Sequence, residues 1–96
     1  MEKCCKKKKR DEAAQKSLIN RLNRIEGQVR GIKKMVEEDA YCVNILTQVS
    51  AVESALAAFS RELLGSHIRE CVVEDIKADK YETVDELVGV VERLMK

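Results

Sequence analysis

His67 and Cys71 stand four residues apart in the stretch GSHIREC, and His67 is the chain's single histidine. On a helix, residues i and i+4 share a face, one turn apart. An imidazole and a thiolate placed so form half of a soft metal site. Cys42 is the next donor, 25 residues before His67. One continuous helix at 1.5 Å per residue would hold Cys42 and His67 roughly 37 Å apart, so they cannot share a site within one straight helix. Antiparallel pairing of that helix with its copy would bring Cys42 of one chain beside His67 and Cys71 of the other. A two-fold dimer would then build two equal sites. Two thiolates and an imidazole suit Cu(I), zinc or iron–sulfur chemistry. Structural zinc usually takes four protein ligands, so three such donors lean toward Cu(I). Taken singly, a helical cysteine is more often a small buried apolar residue, and a lone histidine an exposed or hydrogen-bonded one. The remaining thiols, Cys4 and Cys5, read as an extra ligand or a metal-catching tail, with a mobile tail favoured.

The elements that must position these donors are helical. The 96 residues contain no proline, no tryptophan and three aromatics, a composition that disfavours sheet. Leu18, Leu22, Ile25, Val29, Ile32 and Val36 follow a heptad-like 4, 3, 4, 3, 4 spacing, which predicts a first helix over 11–38. Gly27 and Gly31 inside it either admit another backbone or are tolerated at about 1 kcal/mol each. The seam breaks at EEDAY, where Asp39 is a plausible N-cap. Ile45, Val49, Val52, Leu56, Phe59 and Leu63 repeat the same spacing in a second helix from about Tyr41. Leu64, Ile68, Val72 and Ile76 carry it onward, so the expectation is a kink at Gly65 and continuation to about Ala78, with a new helix from Ser66 as the alternative. Thr83 and Glu86 make a capping box for a third helix whose apolar face is Val84, Leu87, Val88, Val91, Leu94 and Met95.

Two long seamed helices joined by a short turn form an antiparallel hairpin. One hairpin cannot cover both seams. The fold expected is therefore all-α, with three helices per chain and two chains pairing into a four-helix bundle. Residues 1–10 (MEKCCKKKKR) read as a disordered basic arm, and 11–96 as a single domain.

Residues 1–34 carry a net charge of +8, and the rest −7. A basic third on an acidic remainder points to a polyanion partner; a solvated helix face with a frayed tail is the plainer reading. No uninterrupted apolar run approaches the roughly 18 residues of a membrane span. The basic N-terminus lacks the apolar stretch of a secretory signal. A cytoplasmic protein with reduced thiols is the default. With one histidine, no nucleophile elbow and no phosphate loop, an enzyme is not expected.

The segments RLNRIEGQVRGIKKMVEED and YC, followed by H-x-x-x-C, resemble the copper-sensing operon repressor (CsoR-like) family over about residues 17–95. The resemblance implies Cu(I) as the ligand of Cys42, His67 and Cys71. Nickel, formaldehyde and persulfide sensors of the wider family differ at the last cysteine or the histidine. It also implies that Tyr41 and Glu86 hydrogen-bond the imidazole nitrogen of His67 that does not ligate. The register of Glu86 depends on a loop of variable length. It implies a homotetramer built as a dimer of dimers, where the residues alone support a homodimer. It further implies that metal-free protein binds operator DNA and that Cu(I) releases it. The basic surface of the first helix, with Arg21, Arg24, Arg30, Lys33 and Lys34, would make the DNA contact. This chain departs from the family's pattern at Ala57 and Ala58, where a basic residue is expected; Arg61 is the candidate substitute. The competing readings are a copper buffer or chaperone without DNA binding, a sensor of another metal or of thiol-reactive species acting through Cys42 and Cys71, and a purely structural bundle.

Overall fold

Asp11 starts the first helix: its side-chain Oδ2 accepts the backbone N–H of Ala14 at 3.4 Å, satisfying one of the donors a helix start leaves bare. The computed structural model describes residues 11–95; the basic arm 1–10, with Cys4 and Cys5, lies outside the described residues. Helix α1 runs Glu12–Glu37, within one residue of the expected bounds at either end. Helix α2 runs Cys42–Lys77 without interruption, and α3 covers Glu82–Leu94. Among the described residues there is no strand, and the all-α, three-helix expectation holds.

Both inter-helix turns are closed in the same way. After α1, Asp39 N–H donates to Val36 O and Ala40 N–H to Met35 O, at 3.2 and 2.9 Å. After α2, Asp79 N–H donates to Ile76 O and Lys80 N–H to Asp75 O, at 3.0 and 2.7 Å. These paired bonds are the Schellman closure, which needs a left-handed residue just past the helix. Asp39 supplies it at φ 56° and Asp79 at φ 60°. Asp39 is thus a helix terminator, not the N-cap expected of it. The next helix starts instead from Tyr41, whose carbonyl accepts from Asn44 and Ile45. Tyr81 does the same for Val84 and Asp85. The chain uses one turn, Asp-x-Tyr, twice.

Two further expectations are corrected. Thr83 does not cap α3 and the capping box with Glu86 does not form: Tyr81 is the N-cap. Thr83 is buried one residue inside the helix, and its hydroxyl donates to the buried Asp75 Oδ2. The left-handed Asp79 turn brings the chain back early enough for the helix to begin at Glu82. The expected continuation of α2 past Gly65 holds, but the irregularity is not at Gly65, which stays in regular α-helix. The irregularity lies three residues later, where Ile68–Val72 form a π-helical turn and Val73 N–H bonds to Ile68 O. Regular helix resumes over Val73–Lys77.

The described chain divides into two compact units at Leu63/Leu64. In residues 11–63, Arg21 in α1 bonds Glu62 in α2, consistent with an antiparallel hairpin. The first seam splits there in two. Leu18 and Ile25 are 8% and 7% exposed, while Leu22, Val29 and Val36 are 38%, 50% and 56% exposed. In residues 64–95 the buried side chains are Cys71, Val72, Asp75 and Thr83, all near the π turn or the α2–α3 corner. By length and mean hydropathy, α2 also meets the test for a bilayer-crossing helix, although no uninterrupted apolar run does. Alanine, valine, leucine and isoleucine outweigh the scattered Asn44, Gln48 and Ser50.

Candidate metal centre and nucleic-acid surface

Cys42 is the first residue of α2. Its thiol is free and exposed. His67 ends the 26-residue α-helical part of the same helix, so the two stand at opposite ends of one rod. Cys71 lies in the π turn that follows directly, and is 2% exposed. A π turn closes each hydrogen-bonded ring one residue later than an α turn, and such turns in helices frequently mark functional sites. Here the wider turn sets the geometry between imidazole and thiol. Among the described residues of one chain, no three His, Cys, Asp or Glu side chains converge as a metal-binding group. His67 and Cys71 are thus neighbours along the chain at the end of the helix that Cys42 begins.

Tyr41 is exposed at the start of α2, where its carbonyl opens the helix. Glu86 sits in the middle of α3 with its Oε1 buried. Freed from a capping box, it keeps a carboxylate oxygen out of water inside the unit that holds His67.

The five basic residues lie on α1 but not on one face. At about 100° per residue, Arg21 and Arg30 point to opposite sides of the helix. Arg21 and Arg24 share a shallow groove of about 390 Å³ with Ala13, Lys16, Ser17 and Asn20. Arg30 is paired loosely with Glu26 at 3.7 Å in an exposed i,i+4 bridge, and Lys33 and Lys34 are exposed nearby. Arg61 is also exposed.

Glu62 was not among the sequence candidates. It accepts from Arg21 Nε at 2.7 Å. Hydrogen bonds from Arg21 and then Ser17 hold its carboxyl below the ordinary glutamate range, outweighing the burial that pushes it up. Forty-one residues separate Arg21 from Glu62, and only the hairpin register, which puts the start of α1 beside the end of the second seam, points to the pair. The π turn had a visible signal. Leu64, Ile68, Val72 and Ile76 are spaced 4, 4, 4, longer than the 3.6 residues of an α turn.

The sequence model of the family described as metal-sensitive transcriptional repressor matches residues 14–93. The copper-sensing transcriptional repressor CsoR of Bacillus subtilis (strain 168) is 48% identical over 80 residues, 82% of this chain and 79% of that protein. The copper-sensing transcriptional repressor RicR of Mycobacterium tuberculosis (strain ATCC 25618 / H37Rv) is 54% identical over 56 residues, 58% of each chain. The crystal structure of the copper-sensing repressor CsoR with Cu(I) from Geobacillus thermodenitrificans NG80-2 superposes with a TM-score of 0.87 at 38% identity, covering 92% of this chain and 93% of that one. The nickel-responsive transcriptional regulator InrS superposes less closely, with a TM-score of 0.71 at 38% identity over 82% and 90% of the two chains.

Proposed function

Because the chain belongs to the metal-sensitive transcriptional repressor family, we propose that it is a Cu(I)-responsive repressor, which binds operator DNA when metal-free and releases it when Cu(I) is bound. The family is one of repressors, not enzymes. The observation that carries the copper assignment is the donor set. His67 precedes a π turn and Cys71 lies within it, and the other described thiol, Cys42, is free and exposed at the far end of the same helix. Two sulfurs and one imidazole fit a soft monovalent cation. Residues 11–96 act as one sensing and DNA-binding domain, working in the cytoplasm.

Each chain contributes Cys42 to one site and His67 with Cys71 to another, so the site is completed by a second copy in a homodimer, and two dimers make the homotetramer. Cys42 of one chain with His67 and Cys71 of the other would hold Cu(I), which would supply a soft Lewis acid there. His67 ligates through one nitrogen. Glu86 and Tyr41 accept from and orient the other, a common arrangement for metal-bound imidazole. This links the site to α3. Arg21, Arg24, Arg30, Lys33 and Lys34 contact DNA phosphates. These contacts carry affinity rather than sequence, so operator choice rests on groove shape.

A second reading, response to thiol-oxidising species, has one observation in its favour: the free, exposed thiol of Cys42. One experiment separates the two. Reduced protein is titrated anaerobically with Cu(I), then tested for duplex binding by gel shift with and without metal. Release by Cu(I) under reducing conditions supports the copper sensor. Release by oxidation alone, with no Cu(I) effect, supports the thiol sensor.

A further inference from the structure

The ion pair between Arg21 and Glu62 differs from the other bridge on α1. It joins two helices and is partly buried, with side-chain exposures of 39% and 29%. Arg30 and Glu26 are 72% and 69% exposed and 3.7 Å apart. The bond from Arg21 runs through Nε alone. A guanidinium has one donor on Nε and four on its two terminal nitrogens. A carboxylate on the Nε side therefore leaves a terminal donor pair available, the geometry suited to bidentate binding of a phosphate. Arg21 also lines the groove that holds the exposed Lys16 and Arg24. Glu62 is itself only 29% exposed at its side chain, on the helix that packs beside α1 through this bond.

We propose that Glu62 is a positioning residue for DNA binding, which fixes Arg21 through Nε so that its terminal nitrogens meet a backbone phosphate. The proposal rests on the reading of α1 as the DNA surface. It makes a prediction of unusual sign. Removing a negative charge near a polyanion ordinarily tightens binding. Here removal frees the Arg21 side chain, which must then be ordered when DNA binds. That cost corresponds to about 2- to 10-fold in affinity per contacting chain.

The test uses metal-free, reduced full-length protein and a short mixed-sequence DNA duplex, since phosphate contacts do not depend on sequence. Affinity is measured against salt for native protein, Arg21→Ala, Glu62→Ala and Glu62→Gln. Arg21→Ala should weaken binding and lower the log–log salt slope by about 0.9 for each phosphate no longer neutralised. Glu62→Ala should weaken binding and lower the slope in the same direction. Glu62→Gln, which still accepts from Nε, should stay near native affinity and slope. If Glu62→Ala and Glu62→Gln both bind more tightly while Arg21→Ala binds more weakly, Glu62 is a competing anion and the positioning role is overturned. If Arg21→Ala leaves affinity and slope unchanged, the DNA surface itself is misassigned. Should Glu62→Ala lose its helical circular dichroism, the Gln variant decides alone: tighter binding overturns the proposal, and near-native affinity with native slope upholds it.

Discussion

A copper site built on Cys42 and Cys71 requires both as deprotonated, reduced sulfur. In reduced protein, Cys42→Ala or Cys71→Ala should abolish tight Cu(I) binding in a competition titration and leave metal-free DNA affinity unchanged, because neither thiol lies on α1 with the basic residues. Mixing Cys42→Ala chains with His67→Ala chains should restore one intact site per heterodimer; verified heterodimers without a tight site would exclude the shared arrangement. Glu86→Ala should still bind Cu(I) but release DNA poorly. Allosteric coupling is typically about 1–3 kcal/mol, so its loss should leave a repressor that stays on DNA at saturating Cu(I); full release would remove Glu86 from the coupling. Glu62 gives a pH signature. Its folded-state carboxyl titrates below the ordinary range, so the stability it contributes is complete above that range and disappears as pH falls through the lowered value. In acid titrations of stability, native protein and Glu62→Gln should differ at neutral pH and converge in acid. Most of these residues were legible from type and spacing. Glu62 was not, because its meaning comes from a partner 41 residues away.

At the scale of elements, helix existence was legible and helix endings were not. The two apolar seams placed α1 and α2 because their periodicity extends over several turns. The endings depend on single residues whose chemistry suits opposite roles. An aspartate is a good N-cap and also one of the few L-residues that tolerates the left-handed region. Asp39 takes the second role. Thr83 and Glu86 have the spacing of a capping box, but the buried carboxylate of Asp75 takes the threonine hydroxyl. Gly65 looked like a break, yet an added Cβ there would meet only the flexible end of Arg69, at 3.2 Å, and the helix passes through it undisturbed. Asp79, at φ 60°, makes the turn chemistry testable. Asp79→Gly should raise the unfolding free energy by about 0.5–1 kcal/mol, and Asp79→Val should lower it by about 1–2 kcal/mol. Denaturant midpoints at constant slope would measure both, and stabilisation by valine would refute the left-handed assignment.

For the whole molecule, the open question in a single chain is what covers its apolar surface. Leu18 and Ile25 are buried within the chain, but Leu22, Val29 and Val36, seven residues apart, are exposed, and no α-helical residue of α2 before His67 is buried. The dimer or tetramer proposed above would cover this stripe. Leu18→Ala should therefore destabilise the fold by about 2–4 kcal/mol. Val29→Asp should instead split the assembly while each chain keeps its helical signal, seen as a lower sedimentation coefficient and a loss of tight Cu(I) binding. A Val29→Asp protein that sediments as the native one would clear that stripe of any interface role. The placement of Cys42 and His67 at the two ends of one helix has a further consequence for supply and demand in the cell. With the shared site proposed above, an isolated chain would present only fragments of a chelator, so its grip on Cu(I) would depend on how many other copies surround it. At low copy number the protein would leave scarce copper to others, and its threshold for responding would fall as its own abundance rose. The dose at which the switch turns is then set jointly by the metal and by the gene's own output.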